Sequence, residues 1–510
     1  MKKILQLKLP TAAASGSLAP AERLAPTRLQ RLMRAVPAAA AAAAALWLGA
    51  CGGPADDLDK GSGAITLNPD QTATIHVHGW NLPGATKTGS VGDDRGGGST
   101  VDGIRRFSTL PAGTTSPTAP NQIVATEYYG AAFPSYYSAA DQAEVAAQKG
   151  IPRYALIVAK YARQVLDRSG AQGVNLTCHS MGCEISRYLI ENDVGHLVSA
   201  GKIKRWVSFA GVVNGAALAD IDGGMQLDKI ARLLGLDLID VAHMNRSWVQ
   251  QYVAAYDHRR VEGNNPLWSN LLIHHIQSTD PRIDSALGIP LMDVFGYGKV
   301  PNDGVVLGEE MYLHSQADAA KWATPGGALL PVSQSHHLAN HFNITEHVGA
   351  QAIAAAALTG KRRARITLQS LTLYKDHESG LFDKAPAEVV VESQVRYPYV
   401  KAIEPSDPLL DEVSTARRNA PLYRLSKGET QTPSYLIFDG PVFDAQTSVA
   451  LSLKLSETDF YPAAGLNENA LAPNFQLGEL NQELPLTDGD YTVTTADVKF
   501  TVHVAVETLY

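Results

Sequence analysis

The sequence predicts an α/β fold, a mostly parallel sheet flanked by helices, followed by an all-β, sandwich-like domain. Three observations carry this expectation. Strand-like and helix-like segments alternate from Thr72 to about Gly360. Ser180 stands where a strand meets a helix. After Lys361-Arg362-Arg363 the texture changes to alternating apolar and polar residues with Pro and Gly between them. At 510 residues the chain is too long for one ordinary core, so two folded units are expected. Apolar residues make up 45 % and charged residues 18 %, which is globular, and a net charge of -8 gives no electrostatic footprint for nucleic acid.

The first strand is expected at 73–78 and the second at 122–129, and the Gly-, Ser- and Thr-rich stretch between them reads as loop. Tyr154, Ile157, Val158, Tyr161 and Val165 recur at helical spacing, and Gly170 and Gly173 end that helix. A strand at 174–178, a helix at 184–191 and a strand at 205–213 follow. Residues 225–256 look helical, with Leu227, Ile230, Leu233 and Leu234 on one face and then Trp248, Tyr252 and Val253. Placed between two sheet strands, this segment suits a cap at about 214–268 or an ordinary packing pair of helices. Residues 271–277 resume the sheet, 328–332 are a candidate last strand, and 346–358 form a last helix that stops at Gly360. Strands are then expected at 365–374, 388–397, 435–438, 448–455 and 491–506. The domains are therefore 72–362 and 363–510, and the second carries no motif of its own beyond packing or surface attachment.

The N-terminus reads as an export signal. An apolar run at 35–48 follows Arg28, Arg31 and Arg34 and is too short to span a bilayer comfortably. Leu48-Gly49-Ala50-Cys51 resembles the bacterial lipobox, which implies cleavage after Ala50, a lipid on Cys51 and an exported, membrane-tethered lipoprotein of the outer membrane or cell surface. Met33 is a second candidate start, and residues 51–71 read as a tether. The plainer reading is an Ala-rich leader with an incidental cysteine.

The chemistry centres on Thr177-Cys178-His179-Ser180-Met181-Gly182. Residues two before and two after the serine come close together in so tight a turn, which demands small side chains; Gly182 meets this, and Cys178 stands where Gly or Ala is more usual. The serine then sits at a helix N-terminus, where the dipole and free N–H groups favour developing negative charge. The other reading is a structural serine in a turn. His78-Gly79 resembles the His-Gly dipeptide of bacterial lipases of the α/β-hydrolase superfamily, a resemblance that spans about residues 70–360. It implies an oxyanion hole built from the N–H groups of Trp80 and Met181. His76 and His78 also form a His-x-His pair, but no further cluster has metal spacing, so no metal and no cofactor are expected.

The acid and base must follow the serine in the order Ser, Asp or Glu, His. Pro301-Asn302-Asp303-Gly304-Val305-Val306 resembles the Asn-Asp-Gly-hydrophobic-Val segment of those lipases, which implies Asp303 as the acid; Asp280, just after a strand, is the alternative. Asn340-His341-Phe342-Asn343 resembles the Asn-His-Leu-Asp around the base of Pseudomonas-type lipases and implies His341, with His337 next. The pair of calcium-binding aspartates that many of those lipases carry has no clear counterpart here. Cys178 and Cys183 bracket the nucleophile, and export permits either a disulfide or two buried thiols. The function expected is a carboxylic-ester hydrolase, lipase or esterase, acting on an ester or lipid substrate. A polyester (polyhydroxyalkanoate-like) depolymerase is a rival, and a catalytically silent surface-binding lipoprotein is the non-enzyme reading. Nothing in the sequence speaks to oligomeric state.

Overall fold

A computed structural model describes residues 72–79, 91–92, 94–95, 98–108, 123–220, 238–253, 271–282, 292, 297, 300–313, 332–375, 386–398, 414–417, 422–433, 435–457 and 475–508. The export signal, Cys51, the tether and Trp80 lie outside these residues, as does much of the segment expected to form a cap.

The first half runs β1 (Ala73–Val77), β2 (Asp94–Arg95), α1 (Gly98–Ser108), β3 (Ile123–Thr126), α2 (Ala139–Ala147), α3 (Gly150–Ser169), β4 (Val174–His179), α4 (Met181–Glu191), β5 (Ile203–Phe209), α5 (Leu238–His243), α6 (Arg246–Tyr252), β6 (Leu272–Ser278), β7 (Val332–His337) and α7 (Val348–Thr359). Six of these strands pair in parallel in the order β3-β1-β4-β5-β6-β7, with β2 antiparallel outside β3. β1, β4 and β6 are buried at every residue, as strands covered on both faces must be. The two faces separate along β5. Val207 and Phe209 join a core with residues of α1 and α7, whereas Trp206 joins the core of α3 and α4. Helix α3 ends where Gly170 takes φ 67 and its N–H bonds the Leu166 carbonyl at 2.9 Å.

Two sequence expectations are corrected here. The Gly- and Thr-rich stretch expected as loop contains α1, because Val101, Ile104 and Phe107 fall three apart and bury one face that packs near α7. The last parallel strand is β7 and starts at Val332, where the expected one ended; 328–331 lie outside the described residues. Its sequence, Val-Ser-Gln-Ser-His-His, has no apolar pattern because its buried polar groups meet partners. His274 of β6 bonds Ser333 Oγ at 2.8 Å and Ser335 Oγ at 3.0 Å.

The second half is all strand: β8 (Arg362–Leu373), β9 (Ala387–Arg396), β10 (Ser414–Arg417), β11 (Leu422–Leu425), β12 (Thr430–Gln431), β13 (Tyr435–Val442), β14 (Ser448–Glu457), β15 (Phe475–Pro485), β16 (Gly489–Thr494) and β17 (Val498–Thr508). The stretch expected as one strand at 491–506 is the hairpin β16–β17, and β15 had no counterpart in the expected set. The parallel sheet does not stop at β7. β13 pairs with it antiparallel at Asp439 and Gln334, and β8, β17 and β16 follow, giving one sheet of 12 strands. A five-stranded sheet built on β10-β9-β14-β15 covers the added part. Leu368, Leu371, Phe500 and Val502 share a core with Val389, Val391, Leu451 and Leu453 of that second sheet. The residue-362 boundary thus falls at the start of a strand in a shared sheet.

Candidate active site

The C-terminal ends of β1, β4 and β6 and the loop after β7 bring the chemistry to one edge of the parallel sheet, where open α/β sheets hold their sites. Ser180 lies between β4 and α4 with φ 53 and ψ -128, a conformation few non-glycine residues adopt. Its N–H bonds the Phe209 carbonyl at 3.2 Å, and its own carbonyl accepts from Cys183 and Val212 at 3.0 Å each, so neighbouring elements hold the turn. The tightness explains Gly182. A Cβ there would stand 2.2 Å from the Val77 carbonyl oxygen and 2.3 Å from that of His78. Gly79 is also close, though less so, since a Cβ there would lie 3.0 Å from Cβ of Ser180. Cys178 fits the position two before the serine because it forms a disulfide with Cys183 in the first turn of α4, with Cα atoms 4.9 Å apart. Trp206 donates its ring N–H to the Cys178 sulfur at 3.2 Å.

The hydroxyl of Ser180 is 2.9 Å from Nε2 of His341, and Nδ1 of His341 is 2.8 Å from Oδ2 of Asp303. Of the sequence candidates, Ser180, His341 and Asp303 are therefore the three brought together. Asp303 is fully buried, with every carboxylate oxygen occupied. Oδ1 accepts from the N–H groups of Val305 and Val306 at 3.0 and 2.7 Å, and Oδ2 also accepts from the Ser278 hydroxyl at 2.6 Å. Burial pushes its pKa up, but the charge and hydrogen bond of His341 and the bonds from Ser278 and Val306 outweigh this and hold it below the ordinary carboxylate value.

The alternatives are placed elsewhere. Asp280 accepts from the Arg282 main chain and guanidinium at 3.0 and 2.8 Å, an Asx-type turn with an ion pair. His337 is buried, with Nε2 3.1 Å from Ser335 Oγ and its ring edge-on to His347. His347 instead caps α7, accepting from the Ala350 N–H at 3.3 Å.

Met181, the first expected oxyanion donor, is the first residue of α4, so its N–H has no acceptor within the helix. Trp80, the other expected donor, is outside the described residues, but the turn leading to it is anchored. Tyr128 reaches the His78 and Gly79 carbonyls at 2.8 and 3.0 Å, and its ring stacks on that of His78 with centroids 4.1 Å apart. His78 is also 3.7 Å from the Glu127 carboxylate. Among the described residues no group of three or more His, Cys, Asp or Glu side chains gathers to hold a metal.

Ser278, Tyr128 and His179 are site residues that the sequence reading did not single out. Ser278 carried one usable signal, its place at the carboxyl end of a parallel strand.

A mostly parallel sheet flanked by helices, with a serine on a strained strand-to-helix turn, is the arrangement of the α/β-hydrolase fold. No family model matches the sequence, and no curated protein matches it. Solved structures similar to this chain include the lipase BlEst2 of Bacillus licheniformis in its propeptide form, at 10 % identity over 83 % of this chain and 96 % of that one, TM-score 0.36. The phospholipase PlaB of Legionella pneumophila is similar at 11 % identity over 79 % and 92 %, TM-score 0.37. A metagenomic carboxyl esterase is similar at 14 % identity over 57 % and 76 %, TM-score 0.36. At such values neither a residue's role nor a substrate passes from those proteins to this chain.

Proposed function

We propose that the protein is a serine carboxylic-ester hydrolase with Ser180 as nucleophile, His341 as general base and acid, and Asp303 as the group that orients the base. The observation that carries the reading is the unbroken hydrogen-bonded chain from Ser180 Oγ through both nitrogens of His341 to Asp303. His341 takes the Ser180 proton as Oγ attacks the ester carbonyl, and the Asp303 carboxylate keeps the remaining proton on Nδ1 and stabilises the imidazolium. The Met181 N–H receives the oxyanion, with that of Trp80 as the second donor; losing one such donor typically costs about 10²–10³ in rate. His341 returns its proton to the leaving alcohol, and a water activated by the same ring releases the acid from the acyl-enzyme. The route needs no cofactor.

The same reading takes the sequence around Cys51 at face value and tethers the enzyme to a membrane through a lipid on that cysteine. Detergent-phase partitioning of the full chain, lost in Cys51→Ser, tests the tether.

Hydrolysis of p-nitrophenyl esters with acyl chains from about two to sixteen carbons, beside Ser180→Ala, tests the chemistry, since removing a catalytic serine costs about 10⁶ in rate. Activity confined to soluble short-chain esters removes the lipase reading, and release of soluble products from a polyester film favours the depolymerase. No turnover of any ester puts the surface-binding lipoprotein in front.

A further inference from the structure

His341 is held by its main chain as well as by its ring. Its N–H donates to the Asp303 carbonyl at 3.1 Å, and its own carbonyl lies 2.9 Å from Nε2 of His179. A carbonyl can only accept, so Nε2 of His179 carries the proton and donates. His179 is 9 % and His341 3 % exposed, so no bulk water stands ready to replace this bond. His179 is the last residue of β4 and the chain neighbour of Ser180, and the strand that sets the nucleophile therefore also sets this donor.

The His179 ring has little freedom. Its centroid is 5.0 Å from that of His341 at a tilt of 41°, and on its other side a Cβ on Gly79 would stand 2.9 Å from its Nδ1. It is wedged between the His78-Gly79 turn and the base loop. Burial, with His341 beside it, pushes its pKa down to about 3, so it remains a neutral single donor and adds no positive charge next to the working imidazole.

We propose that His179 is a positioning residue whose Nε2–H pins the His341 main chain to the nucleophile turn, so that the base meets Ser180 Oγ at hydrogen-bond distance. The inference rests on the hydrolase reading above. The test therefore begins with wild type and Ser180→Ala on p-nitrophenyl butyrate. Equal activity in the two, or none in wild type, overturns that reading and this inference with it, before any His179 variant is made.

Given an active wild type and an inactive Ser180→Ala, His179→Phe fills the gap without the donor and His179→Gln restores an N–H. Misplacing a reacting group by about 1 Å costs about 10². His179→Phe is expected to lose about 10- to 100-fold in kcat per titrated active site with KM within about twofold, and His179→Gln to recover most of that loss. A structural role alone would reduce the number of titrated sites and leave their turnover unchanged. Wild-type kcat in His179→Phe, or no difference between the two variants, overturns the proposal. A measurement without any substitution stands beside it: nitrogen-15 NMR of the wild type should show the neutral Nε2–H tautomer at His179 from about pH 4 to 9. An Nδ1–H tautomer or a protonated ring in that range overturns it.

Discussion

His341 and Asp303 are joined twice, by the 2.8 Å contact between Nδ1 and the carboxylate and by a 3.1 Å hydrogen bond from the His341 main-chain N–H to the Asp303 carbonyl. The second link belongs to the backbone and survives any change of the Asp303 side chain. Asp303→Asn is therefore expected to leave His341 in place while its amide favours the wrong imidazole tautomer. A fall in kcat of about 10⁴-fold, measured per folded enzyme, is the expected result. A loss of less than about tenfold would remove Asp303 from its assigned role.

Gly182 has no room for a side chain, since a Cβ would press on the main-chain oxygens of Val77 and His78 at 2.2 and 2.3 Å. Backbone cannot swing aside as a flexible side chain can. Gly182→Ala should cost about 1–3 kcal/mol in denaturant unfolding and displace the His78-Gly79 turn, with a loss of turnover larger than the loss of stability implies. Unchanged stability would mean that the turn has room for a methyl group after all.

The Cys178–Cys183 disulfide closes a short ring, with a sequence separation of 5, around the nucleophile. A ring of that size is worth about 2 kcal/mol through the unfolded state. Cys178→Ser with Cys183→Ser keeps an acceptor for the Trp206 ring N–H and should lower the unfolding free energy by about that amount. A thiol count of two on the denatured, unreduced wild-type pair would show that the bridge does not form.

The residues that a tight turn forces together were legible, and those that meet only in space were not. Cys178, Ser180 and Gly182 stand two apart in the chain, so the sterics of the turn are written in adjacent letters. Asp303 and His341 stood out, ahead of Asp280 and His337, only because the short segments around them resemble those of bacterial lipases. Ser278 gives Asp303 a hydrogen bond across 25 positions, and His179 reaches His341 across 162, distances over which one sequence carries no pattern. The fold shows the same division. β1 and β4 alternate apolar and polar residues, Ile75 and Val77 in one and Val174 and Leu176 in the other, while β7 satisfies its serines through His274 and so lacks the alternation that marks a strand. Helix α1 was hidden because Gly and Thr, weak helix formers, surround the three apolar residues that bury its face.

Stability should depend on pH in two stages. Burial pushes His179 and His275 down to about 3 and His274 well below its ordinary 6.5, with His341 assisting at His179, Arg187 at His275 and His275 at His274. The unfolded chain protonates these rings below 6.5 and the folded chain does not. Their contribution is therefore full above 6.5 and is lost as pH falls toward 3. Burial also raises Glu310 from 4.5 to about 7 and Glu184 well above 4.5, and the stability these carboxyls contribute is full below 4.5 and lost as pH rises through their folded values. Between 4.5 and 6.5 the two sets oppose each other; below 4.5 the histidines act in one direction, joined below 3.8 by Asp303, whose folded value, despite burial, is lowered by His341, Ser278 and Val306, and by Asp141, lowered to about 2 by its bonds from Lys160 and Ser138. The unfolding free energy from denaturant titrations should change little in the upper window and fall steeply beneath it, by about 1.4 kcal/mol per pH unit for each proton. Stability that stays flat from about pH 4.5 to 3 would contradict the neutral buried histidines.

The most direct test of the account is covalent. Wild-type protein treated with a fluorophosphonate and digested should carry one adduct, on the peptide containing Ser180, and Asp303→Asn and His341→Ala should acquire it at least about 10²-fold more slowly because the hydroxyl has lost its base. No adduct on that peptide, or labelling of Ser180 at an undiminished rate without His341, would contradict the claim that Ser180 is a nucleophile activated by His341 and Asp303.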